Sequence, residues 1–218
     1  IGRLEVWRND HWATMLGEKS ATDSSRAFFG GGYTQSGTPS SNAIEYVSIL
    51  TTGNTVDFGD LTREDSSGPA AFSSSTRGIW AGGNTTNTMD FITFASTGDA
   101  QDFGDLNRAS LEPGACSDST RGIILIGGST APAGYTDNID FVTMASTGDA
   151  TDFGNLLAGS SDSSALANRT RGIVHTGGVA PASGNNTLEY VAIQSTGNAT
   201  DFGDLAQGGS DGKRNFTG

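Results

Sequence analysis

The sequence has one cysteine, two histidines, five prolines and only 12 basic residues against 24 acidic ones. Each shortage excludes something. A lone Cys116 forbids an intrachain disulfide, so the fold must be held by other means and tolerates a reducing compartment. A formal charge of −12 argues against nucleic acid, which is recognised through clustered Lys and Arg that displace counterions. It argues equally against an anionic membrane surface. No apolar run approaches the roughly 20 residues needed to span a bilayer. Ile1 opens straight into a strand-like pattern, with no secretory leader visible. His11 and His175 stand in no zinc motif. The expectation is a chain with no nucleic-acid partner, no membrane insertion, no metal and no cofactor.

What the chain has in excess is glycine, 32 of 218 residues, about twice the usual share of roughly 7%. Ser, Thr, Asn and Asp are also plentiful, which suits short strands joined by tight turns. The apolar residues fall in regular clusters, unlike those of a disordered chain. Those clusters repeat. Asp57-Phe58-Gly59-Asp60-Leu61 recurs as Asp102-Phe103-Gly104-Asp105-Leu106, Asp152-Phe153-Gly154-Asn155-Leu156 and Asp201-Phe202-Gly203-Asp204-Leu205. The phenylalanines stand 45, 50 and 49 residues apart, within the propeller-blade period of roughly 40–50.

Other features keep step. An Arg precedes a short apolar run ending in Gly-Gly, at Arg26, Arg77, Arg121 and Arg171. An acidic–aromatic pair follows: Glu45-Tyr46, Asp90-Phe91, Asp140-Phe141 and Glu189-Tyr190. A Thr-Gly-Asn or Thr-Gly-Asp turn comes next, and from acid to repeat Phe the spacing is always 13. Each repeat reads as four strands. Strand a, such as Gly122-Ile123-Ile124-Leu125-Ile126, is apolar on both faces and so buried. Strand b alternates, and a Gly-Asx turn leads into strand c with the repeat Phe. Strand d, such as Gly114-Ala115-Cys116-Ser117, is small and polar, as an outer edge strand can be.

The ends complement each other. Leu4-Glu5-Val6-Trp7 resembles strand b with Glu5 at the acidic position, Trp12 takes the place of the repeat Phe, and Ser20-Ala21-Thr22-Asp23 resembles strand d. Lys213-Arg214-Asn215-Phe216 matches the opening of strand a at Ser25-Arg26-Ala27-Phe28. The expected architecture is therefore all-β, a single five-bladed β-propeller with four-stranded blades. Residues 26–73, 74–117, 118–168 and 169–212 form four of them. A composite blade from 1–25 (strands b, c, d) and 213–218 (strand a) closes the ring and removes its free edges.

The Gly-Gly after strand a, the aromatic of strand c and the four-strand register resemble kelch-type propellers. The strand c aromatic departs from the usual kelch pattern, being Phe in four copies and Trp only at Trp12. The run Ser-Thr-Arg-Gly, Gly-Gly, Ser-Thr-Gly-Asp-Ala, Asp-Phe-Gly-Asp-Leu is similar to repeats of virion and tail-fibre proteins of marine tailed phages, cyanophages among them. The likeness covers nearly the whole chain, from about residue 20. It implies a non-enzymatic virion protein, on the surface of the extracellular particle, in a homo-oligomeric assembly with other virion proteins.

The residues themselves weigh against chemistry. Asp99, Asp102 and Asp105 are three apart and carboxylates suit Ca²⁺, but strand alternation scatters them, and turn formation explains them better. The five Arg positions (Arg26, Arg77, Arg121, Arg171, Arg214) match five acidic ones (Glu5, Glu45, Asp90, Asp140, Glu189), which suggests structural Arg–carboxylate pairing. Cys116 has no nearby cation in sequence to activate it. A glycosidase-like propeller needs a carboxylate pair at non-repeating inner positions. Nearly every acid here is a repeat position, and Glu64, Asp65 and Glu112 fit solvated loops. No catalytic residues are assigned.

Function must then lie where the copies differ. The b–c turns are nearly identical, whereas the a–b and c–d loops, on one face, vary. Loops on a rigid scaffold are a usual place for recognition. The expected role is recognition of a host surface, with a cell-surface glycan as ligand and Tyr33, Trp80, Tyr135 and His175 as candidate contacts. The competing reading is a capsid or tail decoration or connector protein.

Overall fold

Short runs of Ile, Val, Phe, Tyr and Thr, broken every few residues by Gly, Asn and Asp, can bury their apolar side chains only as strands. A computed structural model bears this out, and it describes residues 5–8, 11–14, 25–32, 40–65, 68–128, 134–179 and 186–206. Every regular element among them is a β-strand.

A hairpin of β1 (Glu5–Arg8) and β2 (His11–Thr14) comes first. The first sheet holds β3 (Arg26–Gly30), β4 (Ser41–Ser48) and β5 (Val56–Asp65). The second holds β6 (Ala70–Ser73), β7 (Arg77–Ala81), β8 (Thr86–Thr93) and β9 (Gln101–Ser110). The third begins with β10 (Gly114–Ser117), β11 (Arg121–Leu125), β12 (Thr136–Thr143) and β13 (Thr151–Ser161). The fourth is β14 (Ser164–Ala167), β15 (Arg171–His175), β17 (Thr187–Ala192) and β18 (Thr200–Asp204). The short β16 (Gly178–Val179) leaves the β15–β17 connection to pair with β13, which makes the third sheet five-stranded. All pairings are antiparallel.

One expectation is corrected here. The small strand d does not close the outer edge of its own repeat. Gly114–Ser117 pairs with β11, and β6 and β14 pair with β7 and β15 in the same way. Each therefore opens the next sheet. These short strands lie close together, β10 against both β6 and β14, with alanine or serine at most of their positions. Ser117 Oγ donates to the Ser73 carbonyl at 2.9 Å.

Three apolar cores lie between successive sheets. Ile44, Phe58 and Leu61 of the first pack with Trp80, Ile92 and Phe94 of the second. Phe103 and Leu106 of the second pack with Ile124, Val142 and Met144 of the third. Phe153 and Leu156 of the third pack with Val174, Val191 and Ile193 of the fourth. Strand β11, with Ile126 directly after it, shows why strand a is apolar on both faces. Ile124 and Ile126 enter one core, Ile123 and Leu125 the next, as period-2 alternation demands.

The repeat motif is a β-bulge. In each sheet the acid faces the motif Asp, the residue before it faces the motif Gly, and the Phe between them has no partner: Asp140 opposite Asp152, Ile139 opposite Gly154. Asp90 with Asp102, Glu45 with Asp57 and Glu189 with Asp201 repeat the pattern. The bulge breaks the alternation and re-aims the Phe.

Among the described residues, no strand pairing joins the first sheet to the last. Residues 20–23, the segment 213–218 and Arg214 lie outside the described residues, as does Tyr33. Of the hairpin that carries Glu5 and Trp12, only the backbone pairing is described.

Candidate functional site

The b–c turns are nearly invariant among the copies because they hold the sheets together. The outer backbone edge of β5 receives the next sheet's turn: Gly98 N–H donates to the Phe58 carbonyl at 2.9 Å and Ala100 N–H to the Asp60 carbonyl at 2.8 Å. Asp60 N–H donates back to Asp99 Oδ1 at 3.1 Å. The same three bonds join β9 to Gly148, Asp149 and Ala150, and β13 to Gly197, Asn198 and Ala199. The motif glycine is needed at this seam. A Cβ on Gly104 or Gly154 would stand 2.5 Å from the carbonyl of the facing turn glycine, and their φ angles are +135° and +149°. An edge strand that would otherwise be free to aggregate is thus covered.

The acidic positions form a second set of ties, directed backwards. Asp90, 1% exposed, accepts from Thr62 N–H at 3.1 Å and from the Thr62 hydroxyl at 2.7 Å. Asp140 accepts from Asn107 N–H at 2.9 Å and Asn107 Nδ2 at 2.8 Å. Glu189 accepts from Leu157 N–H at 3.0 Å. Burial pushes the Asp140 and Glu189 carboxyls above the ordinary range, against the pull of those hydrogen bonds. Nothing in the sequence marked Thr62, Asn107 and Leu157, because the shared donor is a backbone N–H that any residue supplies.

The arginines are directed forwards, and the expected Arg–carboxylate pairing is corrected. Arg77 Nη1 donates to the Met144 carbonyl of the next sheet at 3.0 Å, and Arg121 Nη1 to the Ile193 carbonyl at 2.9 Å. Arg26 donates likewise to the Phe94 carbonyl. Each guanidinium also lies over the aromatic ring beside the repeat acid. Arg77 is 4.7 Å from the Phe91 centroid, Arg121 4.4 Å from Phe141 and Arg171 4.4 Å from Tyr190. The aromatic of the acidic–aromatic pair therefore takes the Arg, while the acid holds the preceding sheet.

The opposite, loop edge lacks the repeated turn ladder and joins the sheets by bonds that differ from seam to seam. All four described non-glycine residues with positive φ lie on it: Asn84 (46°), Thr85 (62°), Glu112 (54°) and Asp162 (55°). The first pair follows β7, and the other two precede the small strands β10 and β14. Neighbouring loops are tied to one another. Leu111 N–H donates to the Gly128 carbonyl at 2.8 Å, and Ser160 and Ser161 pair with Val179 and Gly178. Buried hydroxyls brace the loops from below, Ser110 Oγ accepting from Gly127 N–H at 3.0 Å and Ser160 meeting Ser163 at 2.6 Å.

Of the four candidate ligand contacts Tyr33 lies outside the described residues, and the other three do not converge. Tyr135 stands on this edge, 39% exposed. Trp80 is 4% exposed and packs in the core against Gly30, where a Cβ would come within 2.8 Å of its Nε1. His175 is 1% exposed, on β15 between Ser164 and Leu188. Neither reaches a surface. Cys116 packs against Gly172, and burial, with Asp118 nearby, pushes its thiol up to about 12, which leaves no reactive thiolate near neutrality. Asp99 caps Asp60 and Asp102 closes a turn onto Gly104 N–H at 3.0 Å. Among the described residues no cluster of three or more His, Cys, Asp or Glu side chains is placed to hold a metal ion.

No protein-family model matches the chain, and no curated protein matches it either.

Proposed function

We propose that the sheets are blades of a five-bladed kelch-like β-propeller that serves as a non-catalytic recognition domain on a phage virion, its loop edge binding a host-surface glycan. The supporting observation is the division of labour between the two edges. The turn edge carries the same three sheet-to-sheet hydrogen bonds at each described seam, and there the copies agree. The loop edge carries the sequence variation, the strained non-glycine backbone and exposed Tyr135. Strain persists only where the surroundings enforce it, and it concentrates at binding sites. An exposed aromatic among small hydroxyl and amide side chains suits a polyhydroxylated ligand. Other virion proteins would hold the domain in a homo-oligomeric appendage.

The test is binding of the purified protein to candidate host cells and to a glycan array, with and without Ca²⁺. Specific binding that Tyr135→Ala weakens at least fivefold, with an unchanged melting temperature, is the expected result. Absence of binding to either would sink the recognition reading and leave a decoration or connector role.

A further inference from the structure

Two faces of the described structure have the form of half-interfaces. On β18, Phe202 is 51% exposed where Phe58, Phe103 and Phe153 are 1–3%. Gly203 keeps the bulge geometry at φ +133°, yet among the described residues nothing lies within 4 Å of where its Cβ would stand. At the other end Glu45 is exposed, whereas Asp90, Asp140 and Glu189 are 1% exposed. Thr55, which matches the buried Ala100, Ala150 and Ala199, is exposed too. One face thus presents the donor half of the seam, the other the acceptor half.

Two offsets identify what fits between them. The first strand of a sheet starts seven residues before the repeat Arg: Ala70 and Arg77, Gly114 and Arg121, Ser164 and Arg171. The residue three after that Arg lies opposite the acid of the following strand: Phe29 and Glu45, Trp80 and Asp90, Ile124 and Asp140, Val174 and Glu189. Applied to Arg214, the first offset places a short strand at Gln207–Ser210, whose small and polar residues match β6, β10 and β14 except at the third position, where Gly209 stands in place of Phe72, Cys116 and Leu166. The second sets Thr217 opposite Glu5 and Arg214 opposite Arg8, on the strand that already pairs with β2.

We infer that residues 207–210 and 214–217, β1 and β2 form a fifth sheet in that order, two strands from each end of the chain, seated between β18 and the first sheet. The inference rests on the five-blade reading and is independent of the glycan. It replaces a three-plus-one division of the closing blade with two-plus-two, because the small strand belongs to the sheet it opens. Only two residues separate β1 from β2, with no glycine, so the seam on Gly203 lacks the full turn ladder and is the weakest of the ring.

The test is a disulfide in the full chain. Opposed residues of an antiparallel pair have Cα atoms about 4.5–5.5 Å apart, which a disulfide spans, whereas a shift of three residues does not. Arg8→Cys with Arg214→Cys should oxidise to an intramolecular bond, seen as a faster monomer band without reductant. Arg8→Cys with Thr217→Cys should not. Bonding only in the second pair would overturn the register and leave the five-blade reading standing. Covalent dimers would mean that a second copy fills the faces, and would overturn both. No bond in either pair would overturn the fifth sheet, as would unprotected exchange of the 214–217 amides in the unmodified chain, where slow exchange is expected.

Discussion

Phe153 and Phe202 occupy the same place in successive copies of one motif, yet one is 2% exposed and the other 51%. The flanking residues are nearly identical: Thr-Asp-Phe-Gly in both. The difference comes from the neighbour. Phe153 is covered by Val191, Ile193 and Ala199 of the sheet that follows, and none of the described sheets follows β18. Glu45 and Asp140 repeat the lesson for the acids. A repeat of this kind does not bury its own signature residues. It prepares half an interface, and the energy is realised only when the next unit supplies the other half.

That contrast can be tested by substitution. Phe153→Ala should cost about 3–5 kcal/mol in chemical denaturation, the range for truncating a buried Phe. Phe202→Ala should cost roughly half as much, since the last seam is the weakest. Equal losses would show that seam to be as tight as the others, and a loss under about 1 kcal/mol would leave the end open. Gly154→Ala combines a backbone clash with a left-handed φ and should cost about 2–4 kcal/mol, against about 1 kcal/mol for Gly203→Ala, where only the strain applies. Asp140→Ala strands the Asn107 N–H and amide and should cost about 1–3 kcal/mol. Glu45→Ala, with its carboxylate exposed, should stay within about 0.5 kcal/mol of wild type.

The smallest effect is one of pH. Burial holds the Asp140 carboxyl above its ordinary value, so the native state binds its proton more tightly than the unfolded chain does. The contribution to stability is complete in acid, and falls as pH rises from the ordinary carboxylate range through the raised value. Asparagine cannot titrate. The stability of wild type relative to Asp140→Asn should therefore grow as pH drops from 7 towards 4, measured by parallel denaturation. Taking the difference cancels groups such as Asp118. There burial pushes the carboxyl up, but hydrogen bonds from the Arg121 and Thr120 amides and from the Gln194 and Thr120 side chains hold it below its usual value. A difference that is flat or shrinks towards acid would mean that the buried acids are not penalised when ionised.

The strands themselves were legible in the sequence, because alternation, glycine turns and a fixed acid-to-Phe spacing are local signals. So was the double-sided burial of strand a, since Ile123–Ile126 leave no polar face. The small strand was misplaced, because Gly114–Ser117 carries the composition of an edge and nothing local says which neighbour it joins. The arginines were assigned the wrong partners for a similar reason. Opposite charges in matching positions suggest an ion pair, but the acid lies opposite the residue three after the Arg, and strand alternation puts positions three apart on opposite faces of the sheet. Of the candidate ligand contacts, Tyr135 lies on the surface, while Trp80 and His175 take core positions that polarity alone does not reveal.

What the sequence determined by itself was a set of equivalent β units and the residue types at their joints, because hydrophobic period and turn chemistry act over a few residues. Only the tertiary structure decided how those units are cut into sheets, which direction each charged residue ties, and why one edge must stay constant while the other varies. Those outcomes depend on a backbone edge, a carbonyl or a ring supplied by a segment some 30–70 residues away, and no local pattern carries that information.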